Sequence, residues 1–137
     1  MPSNGNILNY IIMKDLWAYL RLIRITNLLI IVLTQYFFRH FIIIPLYKFE
    51  NVIPPTDEIY FLFLVLSTVF IAAAGYAIND YFDMRIDRIN KPDRMLLGKI
   101  IPRRMAILIH ATFTGLGILC SFTAAFMIEV GSWALLV

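Results

Sequence analysis

The chain has 137 residues, 61% of them hydrophobic and 15% charged, with a mean hydropathy of +0.78. Soluble globular domains are nearer a quarter charged, so this composition belongs to a membrane protein. The net charge of +3 gives nucleic-acid binding no support, and the single cysteine, Cys120, excludes an internal disulfide.

The N-terminal residues include Asn4, Asn6, Asn9, Lys14 and Asp15. They lack the short apolar core and small-residue cleavage site of a secretory signal. A first apolar segment runs from Leu22 to Tyr47, interrupted by Arg39 and His40. Arg24 and Arg39 lie fifteen residues apart, about 22 Å on a helix. The hydrocarbon core is about 30 Å thick, so both cannot reach water comfortably. One must snorkel or face the protein interior. Arg24, Asn27, Ile31 and then Thr34 or Gln35 share a helix face. Two readings of that stripe stand side by side: a functional polar face pointing at the second span, or a snorkelling arginine with an asparagine bonded to a neighbour.

A second apolar segment, Ile59 to Ile78, has the length of a spanning helix. Its Ala72-Ala73-Ala74-Gly75 and Ala77 would let helix backbones approach closely. A third segment, Met105 to Ile128, holds His110, Gly115, Gly117, Cys120 and Ser121. His110 is expected to be neutral and bonded to a neighbouring helix, and Cys120 to be a small packing residue. A fourth apolar run begins at Val130 and stops at Val137, too short to cross. Residues 1–137 are therefore expected to be the N-terminal portion of a single membrane domain.

Between the second and third segments, Arg85, Arg88, Lys91, Arg94, Lys99, Arg103 and Arg104 outnumber Asp80, Asp83, Asp87 and Asp93. Between the first and second there is only Lys48 against Glu50, Asp57 and Glu58. Basic loops stay cytoplasmic. The N-terminus and the 80–104 loop are expected on that side, with the Pro54-Pro55 loop outside. Trp17, Tyr19, Tyr47 and Tyr60 fall near the expected interfaces.

The most informative stretch is Asn79-Asp80-Tyr81-Phe82-Asp83-Met84-Arg85-Ile86-Asp87. Its carboxylates, at i, i+3 and i+7, share one face of a helix. Three anions on one face repel unless a cation joins them, and Mg²⁺ takes such oxygen ligands together with phosphates. Acid at the C-terminal end of a helix also works against the macrodipole. Nearby Lys91 and Arg94 suit phosphate oxygens. The bland reading is a solvated helix end whose aspartates pair with Arg85, Arg88 and Arg103.

Asn79-Asp80-x-x-Asp83-x-x-x-Asp87 resembles the NDxxDxxxD motif of the UbiA-type intramembrane prenyltransferases. Asn90-Lys91-Pro92-Asp93-Arg94 resembles the N-x-P-x-R that follows it. Arg24-Ile25-Thr26-Asn27 resembles the family's Arg-Pro-x-Asn, without the proline. The 89–94 stretch looks most like the geranylgeranylglycerol-phosphate geranylgeranyltransferase branch. There the usual continuation is Pro-Leu-Pro-Ser-Gly; here it is Met95-Leu96-Leu97-Gly98-Lys99, and only the glycine survives.

The resemblance implies an all-α polytopic bundle of nine helices, of which this chain supplies three spans and the start of a fourth. It implies Mg²⁺ on Asp80, Asp83 and Asp87. A prenyl diphosphate would be held by Arg24, Asn27, Asn79, Lys91 and Arg94. The prenyl group would pass to a lipid-soluble acceptor, with quinone rings, chlorophyllide and haem still open. It also implies a second acidic motif in the missing C-terminal half of the same fold, so this chain alone should be inactive. Tyr76 and Tyr81 could face an allylic cation, or simply pack. A CDP-alcohol phosphotransferase lacks its Asp-Gly/Ala-Arg signature here. A non-catalytic membrane assembly subunit or transporter fragment would need no metal.

Overall fold

The computed structural model describes Met13 and residues 15–50, 58–90 and 96–134, with side chains through Met127. The regular structure of these residues is helical. Helix α1 spans 15–22, α2 Ile25–Phe38, α3 Ile44–Phe49, α4 Glu58–Asn90 and α5 Arg103–Ala134. Three stretches are long and apolar enough to cross a membrane: Ile25–Phe49, Glu58–Asn90 and Arg103–Met127. In hydrocarbon each peptide group must be bonded within its own segment, and a helix does that. Large apolar side chains such as Phe41, Phe49, Leu119 and Phe122 are exposed along these helices, as a lipid-facing surface requires.

The spans match the apolar segments but differ in their ends. Helix α4 does not stop near Ile78; it runs to Asn90 through the acidic motif. The helix dipole therefore bears on Asp87 rather than on Asp80 and Asp83, because its effect is confined to the last turn. The fourth apolar run begins as a continuation of α5, which passes Glu129 without a break and reaches Ala134. The Pro54-Pro55 loop and Pro92 lie outside the described residues.

The chain divides into two compact units, Met1–Ile25 with Ala73–Thr112 and Thr26–Ala72 with Phe113–Val137. In the first, Ala18, Leu22, Ala77, Leu97, Ile101 and Ala106 form a buried cluster. Ala73 and Ala74 are buried as well, whereas a Cβ on Gly75 would meet nothing within 4 Å. The α4–α5 connection is drawn into this core by Leu97 and Ile101. It closes through Ile100 and Ile101 N–H groups donating to the Leu96 carbonyl at 2.9 and 3.0 Å, and Gly98 N–H to the Ile101 carbonyl at 2.8 Å. Gly98 has φ +83°, a left-handed conformation that costs glycine little. The one family position retained in this stretch is thus the one the turn needs.

In the second unit, α2 leads into a wide π turn, Arg39–Ile43, before α3. Pro45 offers no N–H to the Phe41 carbonyl and its ring would crowd that oxygen. The wider turn, with Ile44 N–H bonded to the Arg39 carbonyl, relieves the crowding without ending the helix. Gly117 sits close against α4. A Cβ on it would lie 2.7 Å from Ile71 Cγ1 and 3.2 Å from the Ser67 carbonyl oxygen. Phe70 and Phe113 pack beside it at 5.7 Å between ring centroids.

Arg39 is buried and forms an ion pair with Glu58 at 3.0 Å, its guanidinium 4.3 Å from the Phe61 ring centre. The dilemma set by the Arg24–Arg39 spacing is resolved on both sides, since each arginine reaches a carboxylate and an aromatic face. From the sequence, Glu58 was legible only as one of the acids between the first and second apolar segments.

Candidate active site

The site is built on α4 where the helix leaves its apolar stretch. Because the helix continues through Asn90, Asp80, Asp83 and Asp87 do fall on one face. Asn79 Nδ2 donates to Asp83 Oδ2 at 2.8 Å, an i to i+4 contact that orients that carboxylate. Asp80 is half-buried and accepts a hydrogen bond from Arg24 Nη2 at 3.0 Å.

Arg24 reaches Asp80 because of a break between α1 and α2. The Arg24 N–H bonds the Arg21 carbonyl at 3.1 Å, and its φ is +54°. A left-handed conformation costs a non-glycine residue roughly 1–2 kcal/mol, so the contacts of Arg24 must offset it. Beyond the ion pair, the guanidinium lies 4.9 Å from the ring centre of Tyr76, one turn before Asp80 on α4. The ring and the carboxylate clasp the arginine between them. The position of the family's missing proline is Ile25, the first residue of α2. That is where a helix tolerates proline but does not require it.

Arg24 therefore points at the acidic face, as expected from the sequence. Asn27 is exposed and belongs to the other compact unit. Lys91 and Arg94 lie outside the described residues. Tyr76 supports Arg24. Tyr81 packs against the buried cluster, with its ring edge-on to Phe82. His110 Nδ1 donates to the Ala74 carbonyl at 3.2 Å, which is the interhelical bond expected for it. Cys120 is buried. Among the described residues, Arg85, Arg88 and Arg103 form no ion pair with the three aspartates. Sequence reading missed the Tyr76–Arg24 contact; the i to i+4 spacing of Tyr76 and Asp80 was its only signal.

The donors offered are hard oxygens: three carboxylates and an amide, with a guanidinium already on one of them. Among the described residues, no three His, Cys, Asp or Glu side chains converge into a metal-holding group. Seven residues of helix separate the first and last aspartate, about 10 Å. The set fits a divalent cation that takes one or two carboxylates here and completes its shell with water and phosphate oxygens.

Residues 46–137 match the UbiA prenyltransferase family. The chain is 42% identical over 60 residues to a digeranylgeranylglyceryl phosphate synthase of Methanosarcina barkeri, covering 44% of this chain and 21% of that protein. It is 38% identical over 98 residues to the enzyme so named from Sulfolobus acidocaldarius, 69% of this chain and 32% of the relative. For Pyrococcus horikoshii the figures are 34% over 86 residues, 61% and 30%. The chain thus spans a third or less of the length of these curated relatives. No solved structure matches it. With the acidic motif on α4, its membrane-length helices and a match over residues 46–137, this chain belongs to the UbiA prenyltransferase family.

Proposed function

We propose that this chain forms the N-terminal part of a membrane enzyme that transfers a prenyl group from an isoprenoid diphosphate to a lipid-soluble acceptor. The observation that carries the reading is the clasp of Arg24, Tyr76 and Asp80 above Asp83 and Asp87. A cation and three carboxylates set at the end of a membrane-length helix suit a lipid diphosphate at a bilayer surface. The relatives' names make a product of the digeranylgeranylglyceryl phosphate type the first to assay.

One or two of Asp80, Asp83 and Asp87 would hold Mg²⁺ directly and the rest through water; when bound, the metal draws charge onto the departing diphosphate. Arg24 restrains Asp80 and neutralises part of the acidic charge before substrate arrives. Its guanidinium keeps N–H groups for a phosphate oxygen, since only Nη2 is engaged on Asp80. Asn79 holds Asp83 in one orientation. Lys91 and Arg94, which follow the motif in sequence, would add cationic contacts to the diphosphate. The allylic C–O bond breaks with its electrons leaving on the diphosphate, and the acceptor attacks the carbon and gives up its proton to that diphosphate. The excess of basic residues over 80–104 supports a cytoplasmic setting for this chemistry.

The test is transfer of a labelled geranylgeranyl group by the full gene product in lipid, with Mg²⁺ and after chelation. Mg²⁺-dependent formation of an ether-linked product supports the proposal. Binding of the diphosphate without any transfer to glyceryl phosphate, quinone or porphyrin acceptors would point to a non-catalytic subunit. The 137 residues alone should show little or no transfer.

A further inference from the structure

We propose that Arg85, Arg88 and Arg103 form a binding site for the phosphate of an acidic membrane lipid, separate from the acidic face of α4. With Tyr81, Phe82 and Met84 they line a cleft of about 480 Å³. Arg85 and Arg88 lie roughly 140° and 80° around the helix from Asp80, while Asp83 and Asp87 lie on its other side. The third guanidinium is brought to α4 by the folded connection. Leu97 and Ile101 are buried in the core on one side of Arg103 and Ala106 on the other, so the start of α5 is anchored there.

Two further observations identify the ligand as a lipid. Helix α4 has 33 residues, about 50 Å against a hydrocarbon core of about 30 Å. Its last turns therefore lie at headgroup level when Ile59–Ile78 fill the core. Those turns expose Phe82 (72%), Ile86 (58%) and Ile89 (81%) in one stripe beside the arginines. An apolar stripe with arginines along one edge suits the end of a spanning helix among lipid headgroups. Arginine stems run along acyl chains while the planar heads meet phosphate oxygens. Among the described residues none of the three arginines is paired with a carboxylate, so the cleft carries uncompensated positive charge. A headgroup phosphate with its chain along Phe82 and Ile86 satisfies both halves of this surface; a soluble anion satisfies only one. The inference does not depend on the catalytic reading.

The experiment is lipid titration of the full gene product in neutral detergent, read by native mass spectrometry. Dioleoyl phosphatidylglycerol is the probe and phosphatidylcholine the control. The wild type should retain phosphatidylglycerol preferentially. The triple variant Arg85→Gln/Arg88→Gln/Arg103→Gln should lose about 100-fold in affinity, roughly five-fold per arginine. The corresponding triple lysine variant should stay within about ten-fold of wild type, since the charge is kept. If the glutamine triple does not fold, Arg103→Gln alone should still show its roughly five-fold loss. Equal retention of both lipids, or unchanged affinity in the glutamine variants, overturns the proposal. So does displacement by inorganic phosphate at concentrations matching the lipid, which would assign the cleft to a soluble anion.

Discussion

Replacing Arg24 separates its structural cost from its functional use. Its side chain contributes an ion pair to Asp80, with 43% and 27% of the two side chains exposed, worth roughly 0.2–1 kcal/mol at such exposure. The contact with Tyr76 adds about 0.5–1 kcal/mol. Arg24→Ala removes both and keeps a Cβ in the left-handed region at φ +54°, so it should cost about 1–2 kcal/mol. Arg24→Gly loses the same contacts but removes the backbone strain, recovering about 1 kcal/mol. The glycine variant should therefore unfold a few degrees above the alanine variant. In the full gene product both should lose prenyl transfer to the same extent, because both free Asp80 from its cation. Unfolding can be followed by thiol-reactive fluorescence from Cys120, which is buried in the fold. A glycine variant less stable than the alanine variant would refute the strained clasp. A glycine variant with restored activity would refute the role given to the guanidinium.

Gly117→Ala should lose about 1–3 kcal/mol, because the added Cβ meets the Ser67 carbonyl and the Ile71 backbone nitrogen, neither of which can yield cheaply. Gly115→Ala meets nothing within 4 Å and should be neutral or slightly stabilising in the same thermal assay. Glu58→Ala leaves the buried Arg39 short of a carboxylate and should cost about 1–2 kcal/mol, the exposed side of the pair being discounted. The double variant Arg39→Met/Glu58→Gln should recover most of that loss, and additive losses would contradict the pairing. His110→Phe should lower yield and thermal stability while leaving the acceptor KM unchanged, since His110 bonds the Ala74 carbonyl; a raised KM would give it an acceptor role.

The membrane class and three spans follow from hydropathy alone, because a helix is the solution an apolar twenty-residue segment has in lipid. The acidic face was equally legible, since i, i+3 and i+7 meet on any helix. What sequence could not set was how far α4 runs. Propensity is a weak guide once a segment turns polar, and the helix is held by Tyr81 and Met84 packing onto a core contributed by residues far apart in sequence. The partners of Arg24 and Arg39 were hidden for a related reason. Spacing shows that a buried arginine needs a carboxylate, but only the packed helices show that Asp80 and Glu58 supply it. The aspartates were read as possible partners of Arg85, Arg88 and Arg103, yet the helix turns those arginines away from the acidic face.

The most direct measurement is turnover of the full gene product carrying Asp83→Asn, assayed in lipid with Mg²⁺ and a labelled prenyl diphosphate. Asp83 is a cleaner choice than Asp80, whose loss also breaks the Arg24 ion pair. An asparagine at 83 keeps an oxygen for the Asn79 amide at the observed 2.8 Å contact, so the fold should stay within about 0.5 kcal/mol of wild type. The account predicts transfer reduced by a factor of about 100 or more, with unfolding temperature unchanged. Near-normal transfer by Asp83→Asn in Mg²⁺ would contradict it.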